Sequence, residues 1–236
     1  MKFPILPAVL LLAASAFLHA QGPAIKPDTE LFLDRLRTQA SGDTWAKLSG
    51  TVHHRRRYQE KEESAPISFR TILSTKTVVA QLIFKENEIC MLTQARTAPY
   101  SSSLESKGKS TLESFGLRPS DLVMNFIYWE CRGELNEEMV GMHKCRVLVF
   151  KNPEAEGEVR VFANAVYGIP VRVQWFGKNK LKPFRTMEVR SVKKVNELWL
   201  VEELSVSGPG WRSIIRFDKF NAGYVKQGAP ADLFVE

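Results

Sequence analysis

The chain has 236 residues, of which 44% are hydrophobic and 25% charged, and it carries a formal net charge of +7. These proportions exclude an intrinsically disordered, collagen-like or low-complexity chain. Its 4 histidines and 3 cysteines are too few for a metal-rich protein. The length suits a single β-rich domain, which can bury a sizeable core or enclose a cavity.

The N-terminus has the pattern of a secretory signal peptide over residues 1–20. Lys2 supplies a positive charge, an apolar stretch runs over Ile5–Phe17, and small residues follow. We predict cleavage after Ala20, with Ala16 as the alternative; a buried N-terminal helix is the alternative to a signal. The apolar stretch is too short for a stable membrane span. We therefore expect one soluble, exported domain over residues 21–236, with no membrane anchor.

Export bears on the cysteines, because thiols can pair in an oxidising compartment. Cys131 and Cys145 flank a predicted hairpin whose turn includes Asn136 and Gly141. We predict a disulfide between these two cysteines, with two unpaired thiols as the alternative. Cys90 lies in an apolar run and is expected to be a small buried residue.

A short amphipathic helix opens the predicted domain. Asp28 is the best N-cap, and residues 41–43 end the helix. The apolar residues that recur at helical spacing are Phe32, Leu33, Leu36 and Ala40.

From Trp45 onward the hydrophobic period changes to two. Alternation over residues 48–52 and 67–71 predicts strands, as do the apolar runs over 78–84 and 89–92. Polar turns separate these segments, so we expect them to pair as successive antiparallel strands.

The middle of the chain interrupts this pattern. Residues 94–118 are rich in serine and glycine and are predicted to form a long, mobile loop. A second helix is predicted to begin at Pro119, and strands alternate again over residues 158–217. The second helix places four apolar residues on one face: Leu122, Val123, Phe126 and Ile127.

Six short segments of the C-terminal half form a series. They are Pro119–Leu122, Val159–Phe162, Gly168–Val173, Trp175–Lys178, Val192–Val195 and Leu198–Trp199. This series, and the order of helices and strands around it, resembles the outer-membrane lipoprotein-sorting (LolA-like) superfamily of bacterial periplasmic proteins. The resemblance is strongest over residues 120–217. The turn at Trp175 is shorter than the family's Tyr-Asp-x-x-Gly-Lys and lacks its Asp.

The resemblance implies a mainly β (α+β) fold: an unclosed antiparallel β-barrel with short helices as a lid over an apolar cavity. It also implies a periplasmic location and lipid acyl chains in the cavity. In the family a strand arginine helps to hold the lid, and Arg55, Arg56, Arg57 and Arg70 are all candidates for it here.

The alternating pattern predicts which side chains face the cavity. Each of them could instead be ordinary core; the apolar helix faces, the many strands and the serine-rich loop together favour a cavity. The predicted cavity and lid residues are Phe69, Leu82, Phe84, Met91, Leu122, Val123, Phe126, Ile127, Phe162, Val171, Val173, Trp175, Leu200 and Ile214.

The sequence has no motif that would place a nucleophile beside a base, and no phosphate-binding glycine loop. We therefore predict no enzyme, no catalytic residue and no cofactor. His53 and His54 fall on opposite faces of a strand and are not expected to share a metal ion.

Arg55, Arg56 and Arg57 form the densest positive cluster. Export argues against nucleic acid as a partner. A solvated strand end and a contact surface for anionic lipid headgroups or an acidic partner remain open.

These observations together predict a periplasmic lipid- or lipoprotein-binding carrier. Its partners would be acyl chains or lipoproteins, with an inner- or outer-membrane protein as a further candidate. The alternative is an envelope sensor or assembly module of the same fold that binds a protein partner. A secreted hydrolase is a third and weaker alternative.

Overall fold

The computed structural model describes residues 22–38, 42–59, 61–98, 100–107, 111–153 and 155–235. The predicted signal peptide and both cleavage positions lie outside them, as does Ala40. The described strands form one 12-stranded antiparallel sheet. They are β1 (Thr44–Arg56), β2 (Glu63–Leu73), β3 (Thr77–Phe84), β4 (Glu88–Ala95), β5 (Ser102–Lys107), β6 (Cys131–Val140), β7 (His143–Lys151), β8 (Gly157–Asn164), β9 (Pro170–Gly177), β10 (Arg185–Val195), β11 (Leu198–Gly208) and β12 (Trp211–Tyr224).

Two short α-helices and three 3-10 helices accompany the sheet. The α-helices are α1 (Thr29–Arg37) and α2 (Pro119–Val123). The 3-10 helices cover Leu112–Phe115, Asn125–Tyr128 and Val225–Gln227.

The strand order leaves the sheet open. Apart from β5 and β6, strands that follow each other in sequence are neighbours, and β1 also pairs with β12, so the first and last of these strands lie side by side within the sheet. In the part of the chain that is described, β5 and β6 form the two edges and do not pair. The chain passes from one edge to the other through the helices between Leu112 and Tyr128. The predicted fold class, an unclosed antiparallel β-barrel with short helices, is confirmed.

The two faces of the sheet differ because successive side chains of a strand point to opposite sides. We call the face that carries the main core the inner face, and the other the outer face. One row of cross-strand partners on the inner face is apolar: Leu48, Phe69, Leu82 and Cys90. The adjacent row on the outer face is largely polar: Lys47, Arg70, Gln81 and Met91.

Helix α1 packs on the inner face through the predicted apolar stripe. Phe32, Leu33 and Leu36 are each at most 3% exposed and belong to the main core. Asp28 stands at the N-cap as predicted, but its side chain makes no capping hydrogen bond and accepts two from Arg146 instead, at 2.7 and 3.2 Å. The contact with β7 therefore orients the start of the helix.

The prediction of a long loop over residues 94–118 was wrong in part. β5 lies within it and pairs with β4 in register Leu92↔Leu104. All six residues of β5 are exposed, since this is an edge strand and edge strands are commonly polar. Leu112 and Phe115 are buried in the main core, so this part of the segment is packed rather than loose.

The predicted disulfide was also wrong, and all three cysteines are free. Strand β6 continues to Val140, so the hairpin turns later than the sequence suggested. Cys131 consequently lies opposite Phe150, five positions along β7 from Cys145. At roughly 3.3 Å per residue the separation is about 16 Å, whereas a disulfide requires Cα atoms within about 7 Å.

Candidate functional site

A cavity of about 420 Å³ lies between the inner face and the helices that cover it. Small-molecule sites commonly measure roughly 300–1,000 Å³. Most of its wall comes from β1 to β3, the end of α1, β11 and residues 119–128, which we call the lid. The apolar lining residues are Leu36, Trp45, Ala46, Phe69, Leu73, Val78, Leu122, Val123, Met124, Ile127, Ile169, Pro170, Leu198, Trp199 and Leu200.

The lid is two short helices rather than the single helix that was predicted. Helix α2 ends at Val123, the next residue Met124 has a left-handed φ of 51°, and the 3-10 helix Asn125–Tyr128 follows. The break turns Phe126 into the core, where its ring meets that of Trp175 edge-on at 5.6 Å. Leu122 and Ile127 line the cavity.

A buried ion pair attaches the first part of the lid to the sheet. The Arg185 guanidinium at the start of β10 donates to both carboxylate oxygens of Asp121, with the Nη1–Oδ1 distance 2.9 Å. It also donates to the Gly116 carbonyl at 3.0 Å and stacks over Trp175 at 4.5 Å. The same Asp121 carboxylate accepts the Arg118 backbone N–H at 2.8 Å, which caps α2. Asp121 therefore starts the helix and fixes it to the sheet.

Arg37, near the end of α1, holds the second part of the lid. Its Nε donates to the Ile127 carbonyl at 2.9 Å, and its Nη2 donates to the Trp129 carbonyl at 3.3 Å. Its Nη1 donates to the Tyr100 hydroxyl at 3.1 Å. The lid is therefore held at both ends by arginines that were not among the sequence candidates.

The sequence candidates for the lid-holding arginine lie elsewhere. Arg70 is on the outer face and donates to the Leu233 carbonyl at 3.2 Å. Arg56 donates to the Ser114 carbonyl at 3.0 Å and to His54 Nε2 at 3.2 Å. Arg55 and Arg57 are exposed at the end of β1.

The cavity continues into a groove of about 480 Å³ that opens at the surface. The groove and the cavity share Met124, Ile169, Pro170 and Trp199. Trp199 is 63% exposed although it is large and apolar. An apolar path therefore leads from the interior to solvent.

The predicted cavity residues separate into two groups. Those on the inner face are Phe69, Leu82, Phe84, Leu122, Val123, Phe126, Ile127, Val173, Trp175 and Leu200, all in or against the main core. Five of them line the cavity itself: Phe69, Leu122, Val123, Ile127 and Leu200.

The other four lie away from the cavity. Phe162 belongs to a small second cluster on the outer face, and Val171 packs against that cluster at the register shift after Phe162. Val171 also lines the groove that adjoins the cavity. Met91 shares the outer row with Gln81. Ile214 alternates with the inward Ile215, so it also points outward.

The two adjacent histidines occupy different faces, as the alternation predicted. The His53 ring contacts Glu62 at 2.8 Å, whereas His54 is buried with Nδ1 at 2.8 Å from Ser213 Oγ. Burial and, to a smaller extent, the neighbouring Arg56 lower the pKa of His54. Ser213 donates to the Phe115 carbonyl, which leaves it to accept from His54 Nδ1. The neutral ring thus joins β1, β12 and the segment before the lid.

No protein-family model and no curated protein matches this sequence. Solved structures do match over most of the chain. A DUF1329 family protein from Desulfovibrio piger has a TM-score of 0.62 at 13% identity, covering 80% of this chain and 90% of its own. A putative outer membrane lipoprotein-sorting protein domain from Vibrio parahaemolyticus has a TM-score of 0.59 at 11% identity, covering 84% and 92%.

A LolA superfamily protein from Nitrosomonas europaea is similar over 88% of this chain and 97% of its own, with a TM-score of 0.55 at 9% identity. These matches define the class: the protein has a LolA-like fold. In the residues that the structure describes, no helix is long and apolar enough to cross a membrane.

Proposed function

We propose that this protein is a periplasmic carrier that holds acyl chains of lipids or lipoproteins in its apolar cavity and performs no chemistry on them. The observation that carries the proposal is the cavity of about 420 Å³ beneath the lid, continuous with a groove that reaches the surface. The LolA-like fold supports it. The carrier would be the exported domain over residues 21–236 and would serve outer-membrane biogenesis.

The expected affinity follows from the apolar area that a chain would bury. Each buried methylene contributes about 0.8 kcal/mol, so ten would contribute about 8 kcal/mol. Ordering the chain offsets part of this. Since a dissociation constant of 1 μM corresponds to about 8.2 kcal/mol, the carrier should release its cargo readily. A moderate affinity of this kind suits transfer between membranes.

The exposed arginines Arg55 and Arg57 are proposed to contact anionic headgroups or an acidic partner while cargo is exchanged. Arg55 lies near the end of β1 and Arg57 just after its end, and neither residue lines the cavity. Charge interactions of exposed residues weaken as salt is added. Binding to vesicles that contain anionic lipid should therefore fall with added salt and with the double change R55Q/R57Q.

Native mass spectrometry of the protein purified from its host tests the carrier function. A bound lipid or acylated species that is released on denaturation supports the proposal. An empty cavity, together with no uptake of a fluorescent fatty acid, would count against it. Isolation of one stoichiometric protein partner without lipid would favour the alternative, a sensor or assembly module.

A further inference from the structure

The cavity contains a buried cation as well as apolar residues. Arg96 lines it next to Arg37 and Tyr128 and is only 9% exposed. Its Nη1 donates to the Ser74 carbonyl, and its Nη2 donates to the Arg37 carbonyl at 2.6 Å. Its Nε is buried and has no hydrogen-bond partner. The Arg96 guanidinium has five N–H donors, and at least one of them therefore has no hydrogen-bond acceptor.

Among the described residues, neither Arg96 nor Arg37 has a carboxylate within ion-pair distance. Arg37 is half-buried, and the other two buried arginines are paired: Arg146 with Glu134 and Asp28, and Arg185 with Asp121. Buried charges in proteins are normally paired, and an arginine stays protonated. The cavity therefore carries positive charge that the surrounding side chains do not neutralise.

Tyr128 does not supply the missing anion. Its side chain is buried beside the two arginines, and burial raises the pKa of its phenol despite their opposing effect. The phenol is therefore neutral at physiological pH and can only donate or accept a hydrogen bond. Glu197, the carboxylate among the cavity's lining residues, is exposed and pairs with Lys194 at 2.6 Å. The counter-charge therefore has to come from outside the lining side chains.

We propose that the cavity selects an anionic amphiphile, whose acyl chain lies against the apolar wall and whose carboxylate or phosphate binds Arg96, with Arg37 alongside. This inference rests on the proposed carrier function and adds the charge of its ligand. A guanidinium suits both groups, because its planar donors match two oxygens at once. The apolar lining on the lid side, from Leu122 to Ile127, suits the chain.

Calorimetric titration with myristate and with its methyl ester tests the proposal, because the two probes share the chain and differ in charge. We expect the wild-type protein to bind myristate about tenfold more tightly than the ester, as a charge-assisted hydrogen bond would give. R96Q should bring this affinity ratio close to one, because it should weaken the binding of myristate and leave the binding of the ester unchanged. R96K should retain most of the preference, and K180Q, at an exposed cation outside the cavity, should retain all of it.

The outcomes separate this inference from the carrier function. Equal wild-type affinity for acid and ester, or a ratio that survives R96Q, would overturn the anion preference and leave the carrier function standing. Binding of neither probe would overturn both. Inorganic phosphate at matched ionic strength should not displace myristate; if it does, the site binds free anions and not amphiphiles. The wild-type ratio decides the question even if R96Q fails to fold.

Discussion

Asp121 of the lid and Arg185 of β10 form an ion pair in which both side chains are at most 5% exposed. The pair joins two segments 64 positions apart in the sequence. Taking two charges out of water is costly, and only good geometry and further hydrogen bonds compensate. Here the Gly116 carbonyl and the Arg118 N–H provide them. This polar contact fixes the lid, and a substitution of Asp121 can break it without removing any apolar residue that lines the cavity.

Removing Asp121 should destabilise the protein strongly. D121A leaves Arg185 buried without its anion, and the expected loss is about 3–5 kcal/mol in the free energy of unfolding. Urea denaturation measures it. The matched control is E156A, which removes the exposed pair between Glu156 and Lys178 and should cost less than about 1 kcal/mol. Similar small losses in both variants would show that the lid contact contributes little.

The network around Arg146 predicts how stability depends on pH. Burial opposes ionisation of Glu134, but hydrogen bonds from Arg146 and Thr29 outweigh it and lower the pKa below 4.5. A hydrogen bond from Arg146 likewise lowers the pKa of Asp28 below 3.8. A carboxyl whose pKa is lower in the folded state stabilises the protein above its unfolded pKa. That stabilisation is lost as the pH falls through the folded pKa.

Wild-type protein should therefore lose stability as the pH drops below about 4.5. E134Q should be less stable at neutral pH and should show a shallower decline in acid. Urea midpoints across the acid range compare the two proteins. Parallel declines would mean that Glu134 does not contribute to the pH dependence.

The cysteines give a prediction that contradicts the sequence-based one. Titration in denaturant without reductant should find 3 free thiols per chain. Burial raises the pKa of Cys90, Cys131 and Cys145, so the native protein should react much more slowly than the denatured one. A count of one free thiol per chain would show that the disulfide between Cys131 and Cys145 exists. The register between β6 and β7 would then have to differ from the one described above.

The sequence predicted what local periodicity determines. Alternation identified the inward Phe69, Leu82 and Phe84 in adjacent strands, and helical spacing identified the buried stripe of α1. Periodicity failed where the strand is irregular: the register shift after Phe162 interrupts the alternation at Val171, which lines the groove and not the cavity. A change of one position moves a side chain to the other face, and nothing in the residues near Phe162 signals it.

Contacts between distant segments could not be predicted in the same way. The sequence predicted that a helix begins at Pro119, which it does, but Arg185, the partner of Asp121 in that helix, lies in a different part of the chain with no local motif. Arg96 looked like an ordinary loop residue. Only the fold shows that it is buried in the cavity beside Arg37. A useful signal would have been a charged residue that the strand pattern places on an otherwise apolar face.

The central claim is that the space under the lid binds an acyl chain. Ala46 lines the cavity, whereas its neighbour Lys47 points to the outer face and contacts Asp232 at 3.2 Å. An indole at position 46 should fill the cavity, and one at position 47 should not.

Titration of a dansyl-labelled fatty acid into the wild-type protein, A46W and K47W measures this directly. We expect saturable one-to-one uptake by the wild-type protein and K47W, and none by A46W at equal folded fraction. Undiminished uptake by A46W, or no uptake by the wild-type protein, would contradict the account.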